Sequence, residues 1–493
     1  MITLAVSVTL LILGYLVYGR VAERFFGTDP ERVTPAFTKN DGVDYVPMKG
    51  WRVFMIQFLN IAGLGPIFGA ILGAMYGPVV YIWIVLGCIF MGATHDYFGG
   101  MLSLRHDGAS LPELVGTYLG KPMRMFLRVF TLFLLIFVGV AFVSGPAKLL
   151  YTMSGFSLPF WLGLIFFYYI LATLLPIDKI IGKLYPFFGA ALIFMAIGVF
   201  TGLIVNWAGG DLTLMELTPA SLRNFQSDAA TNTIFPFLFI VVSCGAISGF
   251  HATQSPLMAR CLRSEKQGRQ IFYGAMVAEG IVAMIWATAA MNYMGDVHGL
   301  NYAFTHPLAD NPAIRPDPAW LVSEICRSWL GKTGAIIAVI GVVACPVTSG
   351  DTAFRSARLT IADMLGIPQK KISSRLMIVI PVFILAFFLT FVMKDEFARI
   401  WKFVGISNQA LAAITCWTIA MYLGLRGKSH LMMSLPAFFL TAVCLTYLMT
   451  APHSGGGLAL PLKVSVLIGV AGAIAAFTLF VTVLRKKRQQ ADQ

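Results

Sequence analysis

Thirteen long apolar segments run through this chain of 493 residues, at about 2–18, 52–76, 79–103, 125–150, 159–176, 184–207, 234–256, 271–293, 334–354, 375–393, 398–424, 432–450 and 463–484. Each is close to the roughly 20 residues that an α-helix needs to cross the hydrocarbon core of a bilayer. Peptide groups find no water there, so the backbone must satisfy its own hydrogen bonds within helices. The sequence therefore predicts an all-α polytopic membrane protein with about 13 transmembrane helices.

Composition and charge agree with this class. Hydrophobic residues make up 58% of the chain and charged residues 12%, which excludes a soluble domain of this size. The net charge of +13 would suggest a nucleic-acid partner in a soluble chain, but here we expect none and take membrane lipid as the surroundings. The odd-numbered connections hold most of the basic residues, among them Arg20, Arg24, Arg105, Arg124, Arg260, Arg263, Arg355 and Arg358. The positive-inside rule then predicts an N-terminus outside and a cytoplasmic C-terminus.

The first apolar segment has no basic residues ahead of it and no cleavage signature, so we expect it to remain as a helix. The seven cysteines are odd in number and form no CxxC pair. They are predicted to be small buried hydrophobic residues, not a disulfide or metal framework.

Two segments are interrupted at mid-length by glycine-rich polar sequences, NIAGLGP at 60–66 and SCGAISGFH at 243–251. Irregular backbone at membrane depth costs several kcal/mol per unpaired group, so it persists where it lines a cavity or coordinates a ligand. Freed carbonyls suit a cation, and half-helix N-termini suit a carboxylate. A proline-kinked, closely packed helix is the alternative for the first break. The candidate substrate-binding residues are Asn60, Gly63, Gly65, Ser243, Gly245, Ser248, Gly249 and His251.

The breaks fall five spans apart, in the second and seventh segments. This spacing is typical of transporters with two inverted repeats of five helices and a substrate site near the midplane. It predicts repeats at 52–207 and 234–424, preceded by an N-terminal helix and cytoplasmic connection at 1–51. An outer loop at 208–233 joins the repeats, and two C-terminal helices with a basic tail occupy 425–493.

The ninth span carries candidate ligands for a coupling ion. The hydroxyl groups of Thr348 and Ser349 are hard-oxygen ligands of the kind that bind Na⁺, and Asp351 can add charge or carry a proton. A sodium site at Ile61, Thr348 and Ser349 would join this span to the first break. Alternatively, Asp351 pairs with Arg355 one helical turn further on.

Other polar groups lie inside or beside the spans. His95 and Asp96 in the third span favour an interfacial pair that anchors Arg105; a proton relay or a part of an inner gate is the alternative that we carry as a candidate site. In the eleventh span, the uncharged polar residues at 407–409 are predicted to pack and hydrogen-bond between helices; a role in lining a cavity is the alternative. The first connection, with Asp44 among its charges, has the alternating pattern of a solvated face, and an inner latch is the alternative.

Several sequence blocks resemble the carbon starvation protein A (CstA) family: FGTDP at 26–30, DGVDYVP at 41–47, IAGLGPI at 61–67, GATHDY at 92–97, SGDTAFRSAR at 349–358 and NQALA at 408–412. The resemblance implies a secondary transporter of the bacterial cytoplasmic (inner) membrane, with a leucine-transporter-like core, that serves nutrient uptake during carbon starvation. It implies peptides or pyruvate as substrates, the latter by proton symport. Gly63, Gly65 and Pro66 match the family's first broken helix, and Thr348, Ser349, Gly350 and Asp351 match its ninth-span motif.

The chain departs from the family pattern in two ways. Ile56 and Gln57 stand where better-known members carry a histidine pair, and those members are longer. Losing two imidazoles removes protonatable groups, which points to a different solute or ion in a short subfamily.

We therefore expect a cation-coupled importer of a small carboxylate or short peptide, with Na⁺ or H⁺ as coupling ion and no cofactor. An uncoupled channel or facilitator is the alternative. No enzyme is expected, because the sequence has no HExxH, CxxC or nucleophile motif. Stoichiometry and oligomeric state are left open by the sequence.

Overall fold

The computed structural model describes residues 1–174, 181–308, 315–392 and 397–491, and every regular element within them is helical. Within these ranges, ten helices are long and apolar enough to cross a membrane: Ile2–Phe26, Val79–Arg105, Lys121–Tyr151, Tyr185–Ala208, Glu265–Tyr293, Gly334–Leu365, Ile372–Val392, Ile400–Leu425, Leu431–Thr450 and Leu462–Gln490. If the bent pair of helices Gly50–Ile61 and Gly65–Ala74 is counted as one span, the number of candidate spans rises to 11. The all-α prediction is confirmed.

The count is lower than the predicted thirteen for two local reasons. The predicted fifth span corresponds to Leu158–Leu174, an apolar helix shorter than the others. The predicted seventh span consists of short helices on either side of a break, and none of them reaches spanning length alone. Helix nevertheless occupies each of the predicted segments in the described chain.

Both predicted breaks are present in the structure. We call the bent pair the first broken helix; its two halves, Gly50–Ile61 and Gly65–Ala74, meet at an angle of 52°. In the second broken helix, Phe239–Val241 ends before a non-helical stretch, and helix resumes at Gly249–Ala259. Gly245 lies in that stretch with φ of +86°, a left-handed conformation that glycine adopts without strain.

The two breaks pack against each other. A Cβ atom added at Gly65 would overlap the side chain of Cys244, so only glycine allows this approach. Gly249 packs as closely against the backbone of Asn408 and Ala412 in the Ile400–Leu425 helix. The breaks therefore form one central region, and the division into repeats at 52–207 and 234–424 stays a prediction.

Odd-numbered connections meet on one face of the bundle. Arg105, after the third span, donates from Nε and Nη2 to the Glu265 carboxylate at 3.0 and 2.9 Å. Lys428 Nζ donates to the backbone at the end of the first helix at 2.9 Å. On the other side, the backbone N–H of Thr3 donates to Glu216 of the predicted outer loop at 2.7 Å. This grouping agrees with the predicted topology, whose absolute orientation remains a prediction.

The solvated face predicted for the first connection is wrong at Asp44. Its side chain is buried, and Oδ1 accepts hydrogen bonds from Arg355 Nη1 at 3.0 Å and from Arg358 Nη2 at 2.9 Å. Burial alone would raise the pKa of Asp44, but Arg358 and Arg355 together hold the pKa at about 2. Asp44 therefore fastens the first connection to the Gly334–Leu365 helix by a buried ion pair.

Candidate functional site

A cavity of about 310 Å³ lies against both breaks. Four predicted site residues, Ile61, Gly63, Gly65 and Ser243, belong to its wall, together with Cys244, which sequence analysis did not assign to the site. The other predicted binding residues are buried and absent from the wall: Asn60, Gly245, Ser248, Gly249 and His251. The structure thus brings part of the predicted set together as a cavity lining and places the rest behind it.

The cavity wall is mainly apolar and aromatic, with Phe142, Phe250, Trp401 and Tyr447 among its residues. Among the described residues that line the cavity, Lys402 is the only one with a charged side chain, and none is acidic. An ammonium group facing a largely apolar pocket favours an anion and disfavours a cation as the occupant. Asn408 also lines this wall, so the predicted 407–409 motif contributes one residue to the cavity.

Ser349 lies at the first break. Its Oγ donates to the carbonyl oxygen of Leu59 at 3.0 Å, and a Cβ atom at Gly63 would stand 3.0 Å from the same Oγ. The Thr348 hydroxyl instead donates to Cys345 O within its own helix at 2.8 Å. The hard oxygens gathered at this junction are therefore those of Ser349 and the first broken helix, and the Thr348 side chain is turned away.

Asp351 is buried beside the Tyr185–Ala208 helix. Its Oδ2 accepts a hydrogen bond from the Tyr185 hydroxyl at 2.8 Å, and Oδ1 has no hydrogen-bond partner among the described residues. The Arg355 guanidinium, the alternative partner considered from the sequence, donates to Asp44. Asp351 is thus a buried carboxylate held by a tyrosine.

His95 and Asp96 are fully buried and are joined to the second broken helix. Nδ1 of His95 lies 2.8 Å from Asp96 Oδ1, and Nδ1 of His251 lies 2.9 Å from Asp96 Oδ2. The favoured interpretation, an interfacial pair that anchors Arg105, is wrong, because both residues are buried and Arg105 bonds to Glu265. Three predicted residues from separate motifs therefore form one hydrogen-bonded group.

Sequence reasoning missed Glu279, which completes this group. Its Oε2 lies 3.5 Å from Nε2 of His251, and its Oε1 accepts from the Gly245 N–H at 3.1 Å. The signal was available, since Glu279 is the one acidic residue in the apolar segment 271–293. An ionisable residue inside a membrane span marks a functional site by default.

Comparison with known protein sequences identifies relatives. The family model described as "Carbon starvation protein CstA" matches residues 1–154 and 144–305. An uncharacterized membrane protein of Haemophilus influenzae is 45% identical over 60% of this chain and 92% of its own. The Escherichia coli peptide transporter CstA is 28% identical over 66% of this chain and 54% of its own. The E. coli pyruvate/proton symporter BtsT is 28% identical over 58% of this chain and 48% of its own. The match spans about half the length of the two E. coli proteins.

Solved structures with the same architecture share little sequence. A Na⁺-coupled sialic acid symporter has a TM-score of 0.57 at 15% identity, covering 97% of both chains. A manganese transporter of Eremococcus coleocola, solved in a mutant form, has a TM-score of 0.54 at 12% identity, covering 91% of this chain and 99% of its own. These likenesses show the leucine-transporter-like fold, as predicted.

Proposed function

Because this chain belongs to the carbon starvation protein CstA family, we propose that it imports a small carboxylate such as pyruvate, or short peptides, driven by a cation gradient. The observation that carries the proposal is the cavity of about 310 Å³ that touches both breaks and has Lys402 as its charged lining residue. Relatives named as a peptide transporter and as a pyruvate/proton symporter support the same assignment. We place the protein in the bacterial cytoplasmic membrane, N-terminus outside.

The size and chemistry of the cavity favour the smaller of these solutes. Small-molecule sites occupy about 300–1,000 Å³, so this cavity is at the lower end of the range. The helix that resumes at Gly65 begins at the wall, and half-helix N-termini of this kind stabilise a carboxylate. A single small carboxylate satisfies both features.

Two places suit a coupling cation. The Leu59 carbonyl and Ser349 hydroxyl supply hard oxygens for Na⁺ where the first broken helix meets the Gly334–Leu365 helix. Asp351, buried and bonded to Tyr185, offers a carboxylate that can take up a proton. The two arrangements predict different driving ions.

The decisive experiment is uptake of radiolabelled pyruvate, and separately of a dipeptide, into proteoliposomes with Na⁺ and H⁺ gradients imposed one at a time. Accumulation above the external concentration under either gradient supports coupled import. Equilibration without accumulation supports the channel or facilitator alternative. If protein shown to be folded moves neither solute, the proposed substrate class is wrong.

Ser349→Ala should raise the half-saturating Na⁺ concentration by about tenfold, which equals about 1.4 kcal/mol, because one oxygen ligand is lost at the first break. When uptake is driven by a proton gradient, Asp351→Asn should reduce that proton-driven uptake, because the carboxylate that would take up the proton is removed. Uptake measured against ion concentration separates the two effects.

Ser465→Ala is the matched control, because Ser465 in the C-terminal helix is a buried serine that also donates to a carbonyl, that of Pro461 just before the helix. Unchanged ion dependence in both Ser349→Ala and Asp351→Asn would contradict both coupling sites.

Lys402→Gln should raise the half-saturating concentration of an anionic solute by about threefold, a modest effect because an exposed ammonium group is screened by solvent. Lys402→Arg should restore most of the affinity, since the charge returns. Lys463→Gln serves as the control, because Lys463 is an exposed lysine outside the cavity wall. Equal effects of Lys402→Gln and Lys463→Gln would show that Lys402 has no special role.

A further inference from the structure

Three side chains with metal-ligating atoms converge at the cavity wall and directly behind it. Cys244, His251 and Glu279 each offer one such atom, and all three atoms lie within 4.8 Å of one another. His251 and Glu279 are fully buried. Nε2 of His251 and Oε2 of Glu279 lie 3.5 Å apart, and neither atom makes a hydrogen bond among the described residues. Two buried polar atoms thus point into the same small space, next to a sulfur atom.

The separation of these atoms suits a tetrahedral metal ion. Zinc binds histidine nitrogen and carboxylate oxygen at about 2.0–2.2 Å, which places two such ligands about 3.4 Å apart in a tetrahedron. Nε2 of His251 and Oε2 of Glu279 are 3.5 Å apart. The set of sulfur, nitrogen and oxygen ligands selects a borderline divalent transition metal and disfavours Mg²⁺ or Ca²⁺, which prefer oxygen alone.

Outer hydrogen bonds orient the two buried ligands. Asp96 Oδ2 holds Nδ1 of His251 at 2.9 Å, and its Oδ1 is held by Nδ1 of His95 at 2.8 Å. The Gly245 N–H fixes Oε1 of Glu279 at 3.1 Å. Histidines that bind metals usually donate their second ring nitrogen to a carboxylate in this way. The orientation leaves Nε2 and Oε2 free to share one ion.

Charge and access favour a cation at this point. The carboxyl groups of Asp96 and Glu279 are both buried, and the titratable groups near them include His95, His251 and the thiols of Cys88, Cys244, Cys345 and Cys416. A bound divalent ion would offset the buried negative charge. Cys244 is partly exposed and lines the cavity, so its sulfur atom can be reached from there. The two buried carboxylates, and not the cavity wall with Lys402, are the groups that attract the ion.

We propose that Cys244, His251 and Glu279 bind one divalent transition-metal ion of the zinc class, with Asp96 as the residue that positions His251. Three protein ligands leave a fourth position for water or another ligand. The site connects the second break to the half-helix that follows it and to the Glu265–Tyr293 helix, so a bound ion would hold the second broken helix in place. This site is independent of the substrate assignment, because metal binding is measured without transport.

The test uses full-length reduced protein, purified with an affinity tag that contains no histidine, stripped with a chelator and titrated with Co²⁺. We expect one Co²⁺ per chain, with a thiolate-to-cobalt charge-transfer band and intense tetrahedral d–d bands. Zn²⁺ should displace the cobalt and should raise the unfolding temperature, because an ion that binds the folded state stabilises it. A wild-type protein that shows no thiolate-to-cobalt band would overturn the proposal.

Variants locate the site. Cys244→Ser should remove the charge-transfer band, whereas Cys444→Ser, a change at a buried cysteine within the Leu431–Thr450 helix, should keep it. Glu279→Gln gives a second test if Cys244→Ser does not fold. Asp96→Asn should keep the band and weaken cobalt affinity by about 10- to 100-fold, because outer-shell partners tune affinity by that amount. A band that survives both Cys244→Ser and Glu279→Gln would place the metal elsewhere and refute the assignment.

Discussion

Gly65→Ala should reduce uptake at least about tenfold, because the two breaks meet with no space for a methyl group. The added Cβ would overlap the Cys244 side chain, including its Cβ atom, so a rotation of the thiol cannot relieve the clash. Overpacking of this kind costs about 1–3 kcal/mol and is relieved by moving backbone. The backbone in question lines the cavity, so the cost falls on the transport cycle. Initial uptake rates in proteoliposomes, normalised to folded protein, measure the effect.

Gly163→Ala provides the matched control, because a Cβ atom there would meet nothing within 4 Å. Gly163 lies in the Leu158–Leu174 helix, where alanine is also the better helix former. The double variant Gly65→Ala with Cys244→Gly should recover part of the lost uptake by reopening the space. Normal uptake by Gly65→Ala alone would mean that the close approach of the two breaks has no part in transport.

Asp44→Asn should lower the free energy of unfolding by about 3–5 kcal/mol. The change removes the carboxylate that Arg355 and Arg358 share, and breaking a buried ion pair leaves buried charge uncompensated. The same pair fastens the first connection to the Gly334–Leu365 helix, so the variant should also expose this connection to protease. Denaturant titration in detergent micelles measures the first effect, and limited proteolysis measures the second.

The pH dependence gives an independent check. The pKa of Asp44 in the folded protein is about 2, below the value of about 3.9 for an unfolded aspartate. A lowered pKa stabilises the fold above the unfolded value, and that contribution is lost as pH falls from about 4 towards 2. The wild type should therefore lose more stability over this interval than Asp44→Asn.

Asp29→Asn is the control in the same connection, because Asp29 has an exposed carboxylate that lies 3.9 Å from Arg32. Exposed pairs contribute about 0–1 kcal/mol, so little change is expected. If Asp44→Asn unfolds with the same free energy as Asp29→Asn, the buried ion pair does not hold the connection.

Predictions from the sequence succeeded where the physical cause is local. Apolar runs of bilayer length and glycine-rich interruptions both act within one segment, so the helices and the two breaks could be located before any packing was known. Fewer than thirteen helices reach spanning length in the described chain, because Leu158–Leu174 is short and the break in the seventh segment leaves half-helices too short to count alone. The motif at Ser349 was assigned to the first break from its residue types and position, and the structure places its hydroxyl on Leu59 O, 290 residues away.

Other features depended on contacts between segments far apart in sequence. Asp96 and His251 are 155 residues apart, and no pattern in either segment specifies that they share a hydrogen bond. Asp44 lies in a connection whose alternating charges are typical of a solvated face, and its burial depends on two arginines more than 300 residues later. The sequence by itself determined a helical membrane protein with two broken helices, because backbone hydrogen bonding and apolar length act locally. Tertiary packing alone decided which buried charges meet, because the partner of a buried charge is set by how the helices approach one another.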